Sequence, residues 1–332
     1  MATYKNINGT NIPIRASDPT NPILGEIWYN TTSNTLKGQG YQAGAWTTGN
    51  NMTGTSVRAF QSTGSDTAAV ANGGVSSVAH IDQTSDWDGT SWSTGTGSPV
   101  SAYSRVGFGT QTAAVFAGGQ NGPSTVYNTI NEYNGSSWTT SSGTLAQPTM
   151  SARGTGTQTA GFIAAGSSGD PPTKLNQAYD YDGTCVAAVT SAPTATMNAG
   201  GSGSSQTAFI LYGGEAAPGI TSATLNWNGT SWSALNSLNN GAQNVAGSFS
   251  SSTSALFAAT SWPAVAPNEQ WDGTCWTVID NLNTQRVNSC GSGTGASAFI
   301  AGGYDNSGPD QNSLATELWA GAGPATVTIS SS

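Results

Sequence analysis

The chain holds one histidine, His80, in the phrase Val-Ala-His-Ile-Asp-Gln. A nucleophilic triad needs such a base beside a Ser or Cys and an acid. Nothing in the sequence marks those partners, so His80 reads as a strand residue. Four arginines, Arg58, Arg105, Arg153 and Arg286, recur ahead of similar apolar runs and are half of the eight basic residues. Converging arginines would suit an anionic substrate, but these recur because the phrase around them recurs. The pairs Asp86/Asp88 and Asp180/Asp182 offer calcium-binding oxygen, yet Asp beside Gly is first of all a turn former. Glycoside hydrolysis needs two carboxylates flanking one bond, and no such pair is marked. Cys185, Cys275 and Cys290 are odd in number and lack CxxC spacing, which argues against a disulfide framework or a zinc site. Cys185 and Cys275 stand where other copies of the same phrase carry Ser. Sequons at Asn8, Asn30, Asn51, Asn134 and Asn228 fall partly on a repeated turn, which accounts for them. No catalytic, cofactor-binding or metal-binding residue emerges.

The elements behind these residues are β-strands. Of 332 residues only 8% are charged, against roughly 25% in an average globular protein. There are 44 glycines, and aromatic residues make up 9% and are spread evenly, which argues against disorder. No stretch shows helical periodicity. A net charge of −9 excludes a nucleic-acid groove. No apolar run approaches the roughly 20 residues of a membrane-spanning helix, and the N-terminal residues lack the apolar core of a secretory signal. Membrane insertion is not expected.

A phrase recurs: "DWDGTSWST" from Asp86, "EYNGSSWTT" from Glu132, "DYDGTCVAA" from Asp180, "NWNGTSWSA" from Asn226 and "QWDGTCWTV" from Gln270. Its first aromatic falls at Trp87, Tyr133, Tyr181, Trp227, Trp271 and Trp319, at intervals of 44 to 48 residues, and one step of 46 back reaches Tyr41. Ahead of each copy lies a small apolar run such as "TAAVFAGG", and ahead of that a Gly/Ser/Thr stretch. Each unit reads as four short strands, the last two joined at Asp-Gly or Asn-Gly. A two-residue loop would set Trp87 opposite Thr90; a four-residue loop would set it opposite Trp92. Both registers leave the two indoles on one face.

Repeats of this length and content specify an all-β propeller of four-stranded antiparallel blades, six in number with seven left open. Trp87, Trp92, Tyr133, Trp138, Tyr181, Trp227, Trp232, Trp271, Trp276 and Trp319 are expected to pack between blades. The last unit lacks a second Trp and "AWTTG" near the N-terminus has one to spare, so a strand around Trp46 is a candidate to close the ring.

The arginine, the Gly-Gly, the third-strand aromatic and the fourth-strand Trp resemble the kelch repeat. The segment "DPTNPILGEIWYNTTSNTLKGQGYQAGAWTTG", through Gly25, Ile27, Tyr29, Asn30, Lys37, Gly38 and Trp46, resembles a small β module of bacteriophage fibre and other virion proteins. Together they resemble structural proteins of marine and cyanobacterial tailed phages. Kelch-family copper oxidases use more than one His, which this chain lacks, and the Asp-box of sialidases spaces its residues differently from "SDWDGTSW". The resemblance implies a virion module over residues 1–50, docking through Ile27, Tyr29 and Trp46, and a propeller over residues 51–332. It implies a non-enzymatic virion protein without cofactor, present in several copies and partnered by other virion proteins. Variable loops carrying Tyr127, Asp170, Lys174, Tyr304 and Asp305 are the candidate face for a host surface glycan or protein. The alternatives are a capsid decoration protein with no receptor role and, more distantly, a glycan-degrading enzyme.

Overall fold

The computed structural model describes residues 12–55, 57–77, 79–169, 171–245, 248–258, 267–305 and 312–329. None of these is helical, and the chain divides into two units, Met1–Ala45 with Gly321–Ser332, and Trp46–Ala320. No helix among the described residues is long and apolar enough to cross a membrane.

The larger unit is built from antiparallel sheets in chain order. The first holds strands Gln61–Gly64, Ala69–Asn72, Thr84–Trp87 and Trp92–Thr94, the second Val106–Thr110, Ala113–Ala117, Thr129–Tyr133 and Trp138–Thr144. The third holds Arg153–Thr157, Ala160–Ala164, Ala178–Tyr181 and Val186–Val189, the fourth Gly200–Ser205, Ala208–Tyr212, Thr224–Trp227 and Trp232–Leu235. In the fifth unit Ser248–Phe249 pairs in parallel with the first strand of the fourth sheet, while Ala255–Phe257, Glu269–Trp271 and Trp276–Val278 form three antiparallel strands. The sixth holds Cys290–Gly293, Ser297–Ala301 and Thr316–Ala320, and its outer strand is Ala45–Thr48 from the other end of the chain. First strands lie beside one another in sequence order, and the sixth lies beside the first. The fold is β-propeller-like.

Sequence chemistry explains the crowding of first strands. Their hydroxyls tie sheet to sheet: Thr63 donates to the Gly109 carbonyl at 2.9 Å, and Ser62 to the Gly291 carbonyl at 2.9 Å. The turn into the second strand needs glycine. At Gly109, φ is 107°, and a Cβ would sit 2.2 Å from the Ala113 carbonyl oxygen. Just ahead of the first strands a second requirement repeats, met this time without glycine. Ala59, Ser104, Ser151, Asn198, Asn244 and Asn288 all take φ of 53–58°. Their backbones form a hydrogen-bonded chain: Ser151 N–H to Ser104 O, Ser104 N–H to Ala59 O, and Ala59 N–H to Asn288 O at 2.6–2.8 Å. Asn244 N–H donates likewise to Asn198 O at 2.9 Å.

The core is segmented. Each apolar cluster draws on two consecutive sheets, as with Val70, Phe116, Tyr133 and Trp138, or Phe162, Phe209, Trp227 and Trp232. One joins the sixth sheet to the first through Phe299, Ala301, Trp87 and Trp92. Trp87, Trp227, Trp271, Trp319, Tyr133 and Tyr181 are no more than 2% exposed. Trp92 and Trp276 are also buried, whereas Trp138 and Trp232 are half-buried. A buried indole contributes roughly 4–6 kcal/mol of gross transfer free energy. Its N–H still needs an acceptor. Third-strand indoles donate to their own sheet's first turn, Trp87 to Asp66 O and Trp227 to Gln206 O. Fourth-strand indoles reach the preceding sheet, Trp92 to Thr316 Oγ1 and Trp276 to Thr224 Oγ1, both at 2.9 Å.

The recurring turn spans four residues. Trp87 pairs with Trp92, Tyr133 with Trp138 and Trp227 with Trp232, so of the two open registers the longer loop is present. Asp88 Oδ1 accepts from the Thr90 and Ser91 N–H groups, and Asn134, Asp182, Asn228 and Asp272 do the same in their copies. This side-chain grip on the following backbone favours the turn locally.

The smaller unit is one sheet in the order Ile14–Arg15, Ile27–Asn30, Thr35–Gln42 and Gly323–Thr328. Asp18 holds it together, accepting from Trp28 Nε1 (2.9 Å), Asn30 Nδ2 (2.7 Å) and Lys37 Nζ (2.7 Å). The domain boundaries differ from the sequence expectation at both ends. Residues 323–328 pair with Thr35–Gln42 instead of joining the last repeat. Tyr41, which fits the 46-residue spacing, lies in this small sheet opposite Pro324, whereas Trp46 belongs to the larger unit. Trp319 already fills the third-strand place of the sixth sheet, so the repeat has no use for Tyr41.

Candidate functional site

In each sheet, strands one–two and three–four connect at one end by short repeated turns. The variable second-to-third connections lie at the other end. There the chain leaves the glycine pair and folds into a small hairpin, with bridges Val75–His80, Gln120–Val126, Ser167–Lys174, Glu215–Ile220 and Tyr304–Asn312. The base of each hairpin bridges back to the residue before the left-handed position, as in Arg58–Val75, Tyr103–Gln120 and Met150–Ser167. This repetition arranges unlike side chains at equivalent places around one opening.

That opening has a volume of about 420 Å³. It is lined by His80, Tyr103, Arg58, Gln120, Met150 and Met197 together with hydroxyl and amide groups of the left-handed residues. The His80 imidazole stacks on Tyr103 with ring centroids 5.1 Å apart and planes 13° from parallel. The Tyr103 hydroxyl donates to Gln120 Oε1 at 2.8 Å. No Asp or Glu is among the described lining residues. The chemistry on offer is a flat ring face, amide and hydroxyl donors and acceptors, and the Arg58 cation. Such a set suits polar, uncharged or anionic groups, and the described lining residues include no carboxylate pair for hydrolysis.

The loop residues singled out from sequence sit elsewhere on this end. Lys174 pairs with Glu215 at 3.0 Å and donates to Ala216 O, tying the third sheet's hairpin to the fourth's. Tyr304 lies under the Arg58 guanidinium, 5.3 Å from its ring centroid, tying the sixth sheet to the first. Tyr127 is half-buried, with its N–H on Gly119 O and its carbonyl accepting from Thr149 N–H. Asp305 is half-buried, and Asp170 lies outside the described residues. None of the four described residues lines the opening. His80 and Tyr103, which no motif in the sequence marks as a pair, do line it.

Two of the repeat-borne arginines, Arg105 and Arg286, are taken up by buried ties and do not line the opening. Arg105 is fully buried and donates to Asn72 Oδ1, Asn131 Oδ1 and Phe116 O, which bind the first sheet to the second. Burial lowers its pKa to about 9. Arg286 pairs with buried Glu317 at 3.0 Å. The acid pairs divide by environment. Asp88 and Asp182 are held below the usual carboxylate range by backbone N–H groups in their turns, whereas desolvation raises Asp86 and Asp180. Among the described residues no three His, Cys, Asp or Glu side chains are grouped to hold a metal ion.

The opposite end carries a second opening of about 490 Å³, lined by Gly, Ser and Thr of the first turns with Phe108 and Gln111. Gln111 Nε2 donates to Ala69 O and Trp87 O of the preceding sheet, and Gln206 to Gly161 O and Tyr181 O. These glutamines clamp consecutive sheets and are structural.

In the smaller unit, Ile14, Ile23, Leu24 and Ile27 are 43–76% exposed. Tyr29 is half-buried, its hydroxyl 3.4 Å from Asn34 Oδ1. Trp46 is buried in the larger unit against Trp319, Leu256 and Ile300, and so is not free for docking.

No protein-family model matches the sequence, and no curated protein does. Among solved structures, that of YjhT is similar, with a TM-score of 0.67 at 14% identity over 82% of this chain and 99% of that one. At this identity the likeness shows the fold alone.

Proposed function

We propose that the chain is a non-enzymatic structural protein of a tailed-phage particle, a kelch-like propeller of six blades whose last blade is completed by the strand at Trp46. The smaller unit docks it to other virion proteins, and the end bearing the variable hairpins meets a host surface glycan or protein. The observation that carries this reading is the distribution of exposed apolar side chains. Among the described residues, Ile12, Ile14, Ile23, Leu24, Ile27 and Ile329 of the smaller unit are exposed, against only Ile220 and Val278 in the much larger unit. Exposed apolar side chains concentrated in one small unit suit a protein–protein contact. The larger unit instead offers hydroxyl, amide and ring surfaces, which suit a saccharide.

Replacing Ile14, Ile23 and Leu24 by Lys in the full chain tests the docking role. Melting is expected to stay unchanged while incorporation into particles is lost; normal incorporation would refute it. For the receptor role, Tyr103→Ala is expected to abolish retention on host-surface glycans that bind the parent chain.

A decoration protein with no receptor role is the second reading. Lys174 and Tyr304 favour it, since both are engaged in ties between hairpins. Particles carrying Tyr103→Ala that adsorb to host cells normally would select it. A glycan-degrading enzyme is disfavoured by the lack of carboxylates among the described residues of either opening.

A further inference from the structure

Arg153 opens the first strand of the third sheet and is 8% exposed. Its guanidinium donates to two main-chain carbonyls, Ala152 O and Val245 O, each at 3.1 Å, and its Nε is buried with no partner. The comparison with its two buried counterparts is instructive. Arg286 faces the Glu317 carboxylate, and Arg105 sits in a cage of two asparagine oxygens and a carbonyl. Arg153, like Arg105, faces no counter-charge, and the Nε of all three is buried without a partner. Of the three, only Arg153 has no side-chain oxygen among its acceptors, which are two main-chain carbonyls. Desolvation lowers its pKa only to about 10, so it remains a cation at neutral pH. An uncompensated charge in a low-dielectric interior is far more costly than a neutral polar group.

Beside it lies a small cavity of about 30 Å³ that shares the ring of left-handed residues in its lining with the larger opening. Its lining includes Arg153, the hydroxyls of Ser104 and Ser151, and the side-chain amides of Asn198 and Asn244. No Asp or Glu is among the described lining residues. The space fits one water-sized body. Every side chain named here can donate a hydrogen bond, and the guanidinium can only donate. A water molecule would satisfy some donors but leave the charge standing; a monovalent anion of similar size would satisfy both.

We infer that this cavity is a binding site for a small monovalent anion of halide size, held by the Arg153 guanidinium and by the hydroxyl and amide donors of Ser151, Asn198 and Asn244. The site is independent of the docking and receptor roles. Its occupant would add stability by mass action, since it binds only where the third, fourth and fifth units are assembled.

The test uses the full chain in sodium chloride, sodium bromide and sodium gluconate at equal ionic strength and pH. Halide is expected to raise the melting temperature by about 2–4 °C over gluconate, with saturation. Crystals grown in bromide are expected to show an anomalous peak in the cavity, and Arg153→Gln to erase the halide effect. Should that variant not fold, the bromide map of the parent protein decides alone. Superimposed melting curves with no bromide peak would overturn the inference and leave the cavity to water.

Discussion

Trp46 stacks on Trp319 with ring centroids 5.2 Å apart and planes tilted by 46°. Trp87 on Trp92, Trp227 on Trp232 and Trp271 on Trp276 give 5.2–5.4 Å and 42–44°. Those three pairs face each other across a four-residue turn, whereas Trp46 and Trp319 are brought together from opposite ends of the chain. The equivalence extends to the indole N–H. Trp46 donates to Asp280 O of the preceding sheet at 2.9 Å, as fourth-strand indoles do elsewhere. Trp46→Ala is therefore expected to cost about 3–5 kcal/mol in denaturant unfolding, as much as Trp92→Ala. A cost below 1 kcal/mol would mean that this strand does not complete the sixth sheet in solution.

Ala165 stands where Gly73, Gly118, Gly213 and Gly302 stand in other units, and it shares their positive φ, at 63°. An L-residue is strained there, and glycine is not. Ala165→Gly is expected to raise stability by roughly 0.5–1 kcal/mol, the reverse of the usual penalty for glycine in a strand-rich protein. Equilibrium unfolding of the two proteins decides it, and a loss of stability would refute the strain.

Acid is expected to loosen the repeated turns. Asp88, Asp182 and Asp272 have folded pKa values depressed by backbone N–H donors, so their contribution is complete above the unfolded value near 4. It is lost as pH falls through the depressed value. Asn134 and Asn228 make the same turn without a titrating group. Converting all three Asp to Asn is expected to flatten the fall in melting temperature below pH 4. An unchanged acid profile would show that the turns are not the titrating element. Asp18, lowered to about 2 by Lys37 and then by Asn30 and Trp28, makes the smaller unit sensitive in the same window.

The thiols should separate into two classes. Cys185 and Cys275 are exposed within the recurring turn, while Cys290 is buried and its pKa is pushed up to about 12 by desolvation. Ellman titration of the native protein is expected to show two fast thiols, with the third reacting only on unfolding. Three fast thiols would place the first strand of the sixth sheet in an open state.

The parts of this fold that were legible in the sequence are those written locally and more than once. The aromatic phrase and the glycine pair mark strands because each copy must satisfy the same turn and the same neighbour. What one copy alone decides was hidden. The spare Trp near the N-terminus suggested a closing strand, but no local pattern tells Trp46 from Tyr41. Their assignment depends on a pairing across the whole chain. The left-handed ring was missed because Ala59 and Ser104 carry no side-chain signal for positive φ, the conformation being imposed by backbone bonds to neighbouring units. At the candidate site, long charged and aromatic loop residues drew attention, yet Lys174 and Tyr304 are taken up by ties. The opening is lined by His80 and Tyr103, whose stacking no spacing rule reveals.

The sixth sheet, which takes its outer strand from Ala45–Thr48 and the rest from Cys290–Ala320, has a consequence for synthesis. As the nascent chain leaves the ribosome, the first five units find their partners in order, but the strand at Trp46 stays unpaired until the last repeat has emerged. A chain cut short by premature termination keeps that edge open, with an indole and free backbone groups that invite aggregation or degradation. Translation through Ala320 removes it, so the sixth sheet forms only on a chain that carries the last repeat as well as the strand at Trp46.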